Sequence, residues 1–473
     1  MAAAASSTCD NTVQDLVVIG AGPHALTFAC ALLEEKPMER KLVDAEGGIT
    51  RSRLGERDMR KRILDRQKKP SELPKGLERT MFVDRFGGWM TNWNHQFKFL
   101  GIPQLRSTGG IHPDPVDPEI LFEFARMKGL SMEEGFVEIT GVPRNKFFRG
   151  PFQTPKTELF ESFCEFLIGA YGLKDLVHQG EVLRVEPLQK EGKFGSLFAV
   201  CLKNGEIIQS RRVVVSLGHT NVKRFPDWVD FDQCPPNRVV HVWDLVHMNP
   251  DKTNIKDENL MIVGGGLTSV QLVDISLQMG ARHVYWLARS GVKVRQFDSD
   301  LLWTGRLRHE KLKSFWGEDS MSKRLDMIMD ARQGGTIPHE SKNRLDELVE
   351  EGRCTVLEYA EVWDANWSNE EEAFDMYLSS GLRLSVGRVW LATGSDIDIS
   401  EEPLFSNLME SHPLETQSGY PVLQPDLRWA PEWDLFVMGA YSALSMGPDA
   451  INLAGARRAG FKIADCIKAS LQT

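Results

Sequence analysis

The chain has 473 residues, of which 42% are hydrophobic and 40 are glycine. That composition predicts two or three domains with ordinary globular cores and excludes the disordered and fibrous classes. With 66 acidic against 56 basic side chains the net charge is −10, which argues against a general affinity for nucleic acid or anionic lipid. No segment approaches the roughly 20 apolar residues of a membrane span. Residues 1–15 lack the charged start and apolar centre of a signal peptide, so the expectation is a soluble, cytoplasmic protein. The seven cysteines, Cys9, Cys30, Cys164, Cys201, Cys234, Cys354 and Cys466, lie at least 21 residues apart. They form no CxxC or CxxxxC pair, which excludes the local redox-dithiol signature and any zinc-ligand spacing.

In chain order, the first informative stretch is a short apolar run, 15–19, that enters Gly20, Ala21, Gly22, Pro23, His24 and Ala25 and then a helix predicted from Leu26 to about Glu35. Strand, glycine turn and helix is the order a dinucleotide site needs. Gly20 permits the tight turn, Gly22 lets the backbone approach a pyrophosphate, and Ala25 lets helix and strand pack closely. Residues 51–70 hold nine Arg or Lys against three Asp or Glu and are read as a solvated helix in an insertion over 40–79. Asn204-Gly205, between apolar runs 197–202 and 207–209, predicts a hairpin and hence a β meander.

A second complete unit follows. The run 260–263 enters Gly264, Gly265, Gly266, Leu267, Thr268 and Ser269, then a helix to Met279 and a strand over 283–288. Three further strand-like runs end in glycine, at Gly218, Gly394 and Gly439. The predicted class is α/β, with two Rossmann-like dinucleotide-binding domains, the second inserted in the first: 1–250 for the first part of one, 251–385 for the other, and 386–473 for the return. After the second glycine turn, Trp286 to Arg289 is followed by Ser290, Lys293 and Arg295, with no carboxylate to hold a ribose 2′-hydroxyl. Arg289 and Ser290 suit a 2′-phosphate instead, which favours NADPH over NADH.

The segment Gly20 to Ala29 resembles the GxGPxxLxxA opening of the lysine/ornithine N-monooxygenase-like flavoproteins, among the two-dinucleotide-binding flavin oxidoreductases. The resemblance extends more loosely to 89–115, 264–269, 392–394 and 447–457. It implies FAD at the first turn and, with it, an acid at the end of the second strand for the ribose. Asp44 satisfies the usual spacing, whereas Asp84 lies in a segment that resembles the one leading to the flavin-facing loop, with Trp89; Asp84 is chosen. The same resemblance implies adenine contact at Val182, flavin contacts at Gly394, Gly439, Gly447, Asn452 and Leu453, and NADPH contacts at Gly264, Gly266, Thr268 and Ser269.

The implied reaction is monooxygenation of a small nucleophilic substrate by molecular oxygen through a C4a-hydroperoxyflavin. Arg106, as an anion anchor, and His112, as a proton donor or acceptor, are the candidate catalytic residues. The second turn reads Gly-Leu-Thr-Ser where the amine-hydroxylating branch commonly has Gln-Ser, so the resemblance does not carry lysine or ornithine over as substrate. Residues 239–244 match only the tail, at His241 and Trp243, of the Baeyer–Villiger fingerprint. Two alternatives stay open: a flavin reductase or oxidase that yields peroxide, and a flavin-bound redox-sensing interaction protein.

Overall fold

A computed structural model describes residues 13–34, 55–145, 148, 150–190, 193–218, 220–249, 253–305 and 307–472. Two five-stranded parallel sheets organise it. In the first, Leu16–Ile19 is central, with Val213–Val215 and then Leu435–Val437 on one side, and Thr80–Asp84 and then Val177–Gln179 on the other. In the second, Asn259–Val263 is central, with Arg388–Leu391 and Val239–His241 on one side, and His283–Ala288 and Cys354–Glu358 on the other. All ten strands pair in parallel, and the central ones are buried apolar runs, as strands covered on both faces must be.

The nesting is as expected, but its limits differ. Val239–His241 and Arg388–Leu391 pair with the second sheet, although the boundaries read from sequence, at 250 and 386, assign them to the first. Both are short, Val-Val-His and Arg-Val-Trp-Leu, and nothing in such a run says which central strand it will join. The predicted meander forms from Val182–Lys190, Lys193–Leu202 and Ile207–Ser210. At its turn Gly205 has φ +89° and Asn204 Oδ1 accepts from the Glu206 N–H at 2.9 Å.

Strand Thr80–Asp84 runs beside the first-motif strand in register from Leu16 with Thr80, which puts Asp84 at the end of the second strand. Asp44 and residues 40–54 of the expected insertion lie outside the described residues. The rest of the basic segment is a helix, Glu56–Lys68, and it is less solvated than expected. Met59 and Ile63 are buried, and Arg62 and Arg66 both pair with the buried Glu34. Arg66 also reaches the fully buried Asp114 at 2.9 Å and stacks over Tyr171. Two of the cations are therefore internal counter-ions.

The first glycine turn leads into helix Pro23–Leu33, which packs along the C-terminal helix Leu453–Ser470. Close approach is possible because Gly460 faces Phe28; a Cβ there would stand 3.1 Å from the Phe28 Cα. From the second domain, helices Arg308–Trp316 and Met321–Arg332 reach across to the segment that precedes this C-terminal helix. Arg308 pairs with Asp449 at 2.8 Å, Arg324 donates to Leu444 O at 3.1 Å and Arg332 to Pro448 O at 3.3 Å. Burial opposes the charge on Asp449, but Arg308 and Arg458 outweigh it and hold the carboxyl below its usual range. Among the described residues no helix is long and apolar enough to cross a membrane.

His112 is fully buried in the helical layer of the first domain, edge-on to Phe163 at 5.3 Å. Burial, with the nearby charge of Arg457, pushes its pKa from 6.5 to about 3, and its Nε2 lies 3.3 Å from Pro118 O. It is a neutral scaffold residue across the physiological range, contrary to the expected proton-transfer role. Because the unfolded chain binds the proton more readily, stability is lost as pH falls from about 6.5 towards 3, by about 2 kcal/mol at pH 5 from this one group. Urea titrations of the unmodified protein and of His112→Gln at pH 7.5 and 5 should therefore show a smaller acid loss in the variant. Equal losses would mean that His112 is not held neutral.

Candidate functional site

At the first turn Gly20 has φ +102°, and a Cβ there would stand 2.8 Å from Ser216 O at the end of the neighbouring strand. Two residues on, a Cβ at Gly22 would meet nothing within 4 Å, so the space before the helix start is open. Pro23 occupies the first helical turn, where a missing N–H costs nothing. Asp84 Oδ2 accepts from the Ala21 N–H at 3.0 Å and Oδ1 from the Phe86 N–H at 2.8 Å. Each oxygen keeps acceptor capacity for a further donor. Open backbone at a helix start beside a carboxylate fits a pyrophosphate and a ribose diol. The Gly180 N–H donates to the backbone Asp84 O at 3.0 Å, two residues before the strand that begins at Val182. Gly439, φ +80°, ends the edge strand of this sheet, where a Cβ would lie 3.6 Å from His24 Nδ1.

The second turn repeats the first. Gly264 has φ +146°, and a Cβ there would be 2.4 Å from Ala392 O, again on the neighbouring strand. Gly266 caps helix Leu267–Gln278. This turn is less open: a Cβ on Gly335 would stand 2.9 Å from the Gly266 Cα and 3.1 Å from its nitrogen. The Gly335 segment is tied down by Lys293 Nζ donating to Gln333 O at 2.8 Å and by Arg295 donating to Gln333 Oε1 at 3.3 Å. Arg289 and Ser290 are exposed just past the strand His283–Ala288, where a 2′-phosphate could reach both.

Between the two turns lies a cavity of about 360 Å³. Pro23 and His24 of the first helix start, Leu267 and Thr268 of the second, and Asn452 and Leu453 at the start of the C-terminal helix all line it. Helix Thr91–Phe99 and the residue after it supply Trp93, Gln96, Phe97 and Leu100, a stripe at helical spacing. Trp93 and Phe97 stack at 3.7 Å between centroids. Trp243 closes another side, its indole N–H donating to Ser395 Oγ at 3.1 Å. His241 beneath it accepts from the Trp243 N–H and lies 3.0 Å from Gly394 O. Burial pushes its pKa to about 4, so it stays neutral. Gln96, Phe97, Leu267 and Gln271 were not singled out from sequence, although the 93, 96, 97, 100 spacing was there to be read.

Several expected site residues have other partners. Arg106 lines the cavity, but its guanidinium is spent on backbone: Nε donates to Gln296 O at 2.9 Å and Nη2 to Arg295 O at 2.8 Å. Nη1 and Nη2 also reach Thr336 O and Oγ1. It ties the loop over 102–107 to the second domain and is not a free anion anchor. His112 is absent from the lining. Trp89 packs on Phe82 at 4.6 Å and donates to Leu173 O. Ser269 is buried, donating to Gly266 O and accepting from Trp286 Nε1, so it braces the second turn rather than facing a ligand. Asn452 Oδ1 accepts from the N–H groups of Ala454 and Gly455 at 3.0 and 3.3 Å, so it caps two of the amides expected to face a flavin. Gly447, φ +94°, abuts Leu312 of the crossing helix. Gly394, φ +79°, lies beyond a strand of the second sheet, not the first.

No protein-family model matches the chain, and no curated protein does. Solved structures do. The ornithine hydroxylase PvdA of Pseudomonas aeruginosa aligns over 97% of this chain and 100% of its own at 16% identity, with a TM-score of 0.65. The ornithine N-hydroxylase KtzI of Kutzneria sp. 744, described with reduced FAD, NADP+ and L-ornithine, aligns over the same shares at 16% identity and 0.66. The bacillithiol disulfide reductase of Staphylococcus aureus aligns over 97% and 99% at 13% identity and 0.53. The chain thus has, over nearly its whole length, the fold of these structures.

Proposed function

We propose that the protein is an FAD-dependent, NADPH-using monooxygenase of a small nucleophilic substrate. The observation that carries this reading is the single cavity onto which both glycine-turn helices and the C-terminal helix start open. Its support from comparison is that neighbours sharing the fold include ornithine hydroxylases.

In this reading Gly22 and the following helix start receive the FAD pyrophosphate, and Asp84 takes the ribose hydroxyls. Arg289 and Ser290 select the 2′-phosphate of NADPH by charge-assisted hydrogen bonds. For a pyrophosphate to reach the Gly266 N–H, the segment around Gly335 has to yield. Trp93, Phe97 and Trp243 keep water from the cavity, and Leu453 and Asn452 bring a helix N-terminus to its wall. The bound flavin supplies hydride acceptance and oxygen activation. The net reaction is substrate, O2, NADPH and a proton giving oxygenated substrate, water and NADP+. Among the described residues the six cysteines form no disulfide, and the reading assigns none of them a role.

The purified protein should be yellow with non-covalent FAD, and Gly22→Leu should lower FAD occupancy at least tenfold without a matching loss of fold, measured by absorbance and circular dichroism. A colourless protein that binds no added FAD contradicts the assignment. NADPH should be preferred over NADH by about 10- to 100-fold, from about 1.5–3 kcal/mol of charge-assisted contact. Arg289→Ala should remove most of that by weakening NADPH alone; equal losses for both cofactors would show another selector. With labelled oxygen gas, one labelled atom should enter product. Turnover that sends every electron to peroxide across amines, thioethers and thiols would favour the oxidase alternative.

A further inference from the structure

The cavity between the helix starts has chemistry that bears on which molecule it receives. Among the described residues its lining holds no aspartate, glutamate or lysine. Arg106 is the one arginine in the wall, and its donors are taken by the carbonyls of Arg295, Gln296 and Thr336, while His24 stands at the start of the first helix. Two acids stand behind the wall and neither lines the cavity: Glu340 accepts from the lining Gln104 Nε2 at 3.1 Å, and Asp298 pairs with Arg332. An ammonium or a carboxylate entering this space would lose water and find no counter-ion, a penalty of several kcal/mol per charge.

What the wall offers instead is apolar surface with neutral amides. Trp93, Phe97, Leu100, Leu105 and Leu267 present rings and alkyl groups. Gln96 and Gln271, from two different helices, bring primary amides that form no hydrogen bond with a protein group among the described residues. Each is half-buried and has both donor and acceptor capacity. Such amides suit an uncharged carbonyl, amide or hydroxyl group and leave a formal charge uncompensated.

We infer that the cavity selects an uncharged substrate, with an apolar or aromatic body seated against Trp93 and Phe97 and one neutral polar group held by Gln96 and Gln271. This rests on the monooxygenase reading, under which the atom oxidised is a soft, unprotonated nucleophile such as a thioether sulfur. It separates this chain from structural neighbours named for ornithine: an amino acid that is charged at both ends is excluded by the same wall.

The test uses three compounds that share a phenylthio body of similar size and carry a neutral, an anionic and a cationic end: 2-(phenylthio)acetamide, (phenylthio)acetate and 2-(phenylthio)ethylamine, with L-ornithine beside them. Dissociation constants are measured at neutral pH on the FAD-loaded protein by quenching of tryptophan fluorescence, since Trp93 and Trp243 line the cavity. The amide should bind at least tenfold more tightly than either charged analogue, and ornithine should not compete with it. In Gln271→Glu the order should reverse in favour of the ammonium analogue; Gln96→Glu serves as a second variant if the first loses its fold or its FAD. Equal or tighter binding of a charged analogue or of ornithine to the unmodified protein, or no binding of the amide, overturns the inference. Loss of the flavin reading would appear separately, as failure to retain FAD, whereas the charge preference is read from fluorescence with or without it.

Discussion

One steric constraint occurs twice in this molecule. Each central strand, Leu16–Ile19 and Asn259–Val263, ends in a glycine pressed against the carbonyl that follows a neighbouring parallel strand. The carbonyls are Ser216 O and Ala392 O, 2.8 and 2.4 Å from where a Cβ would stand. Any side chain would push turn and strand apart, and both glycines also have positive φ, which L side chains rarely adopt. The close turn lets the chain leave the sheet and enter a helix at once, so the helix begins at the sheet's carboxyl edge. In open α/β sheets this is where ligands gather.

The nesting of the second domain in the first, and the helices that cross back from it, decide what the two turns can do together. Two such turns on separate domains would be two unrelated nucleotide sites. Here they open on one cavity, and the arrangement is held by contacts remote from the cavity floor. Arg308 with Asp449, Arg324 with Leu444 and Arg332 with Pro448 fix the helical segment of the second domain against the approach to the C-terminal helix. Arg106 does the same from the other direction, carrying the loop over 102–107 to the backbone of 295–296 and 336. A cation in the wall of a site thus acts through position, by keeping two domains in register, and not as a counter-ion for a ligand.

Much of this was legible in the sequence because glycine, proline and apolar runs at fixed spacing report directly on backbone geometry. Gly20, Gly22, Gly264 and the Asn204-Gly205 turn are where local reading expected them, and the sheet pairing of Thr80–Asp84 puts Asp84 at the end of a strand beside the first turn. What was hidden depends on long-range contact. Residues 239–241 and 388–391 are ordinary apolar runs whose sheet is settled only by pairing. Arg62, Arg66, Arg106 and Ser269 read as solvated or ligand-facing until their partners, far away in sequence, are known. His112 has the right residue type for proton transfer, but burial beside Phe163 takes away its titration near neutrality. Gln96 offered only its helical spacing with Trp93, Phe97 and Leu100, Gln271 offered nothing, and they matter because two helices meet.

Both helix starts open on one cavity, which under the proposed function lets two bound nucleotides react with each other. That reaction is tested most directly by mixing the FAD-loaded protein, without oxygen, with NADPH carrying deuterium at either face of nicotinamide C4 and following flavin absorbance. The flavin should bleach with a primary isotope effect for one face alone, as a fixed cavity requires. FAD that stays bound and oxidised in the presence of saturating NADPH and NADH would contradict it.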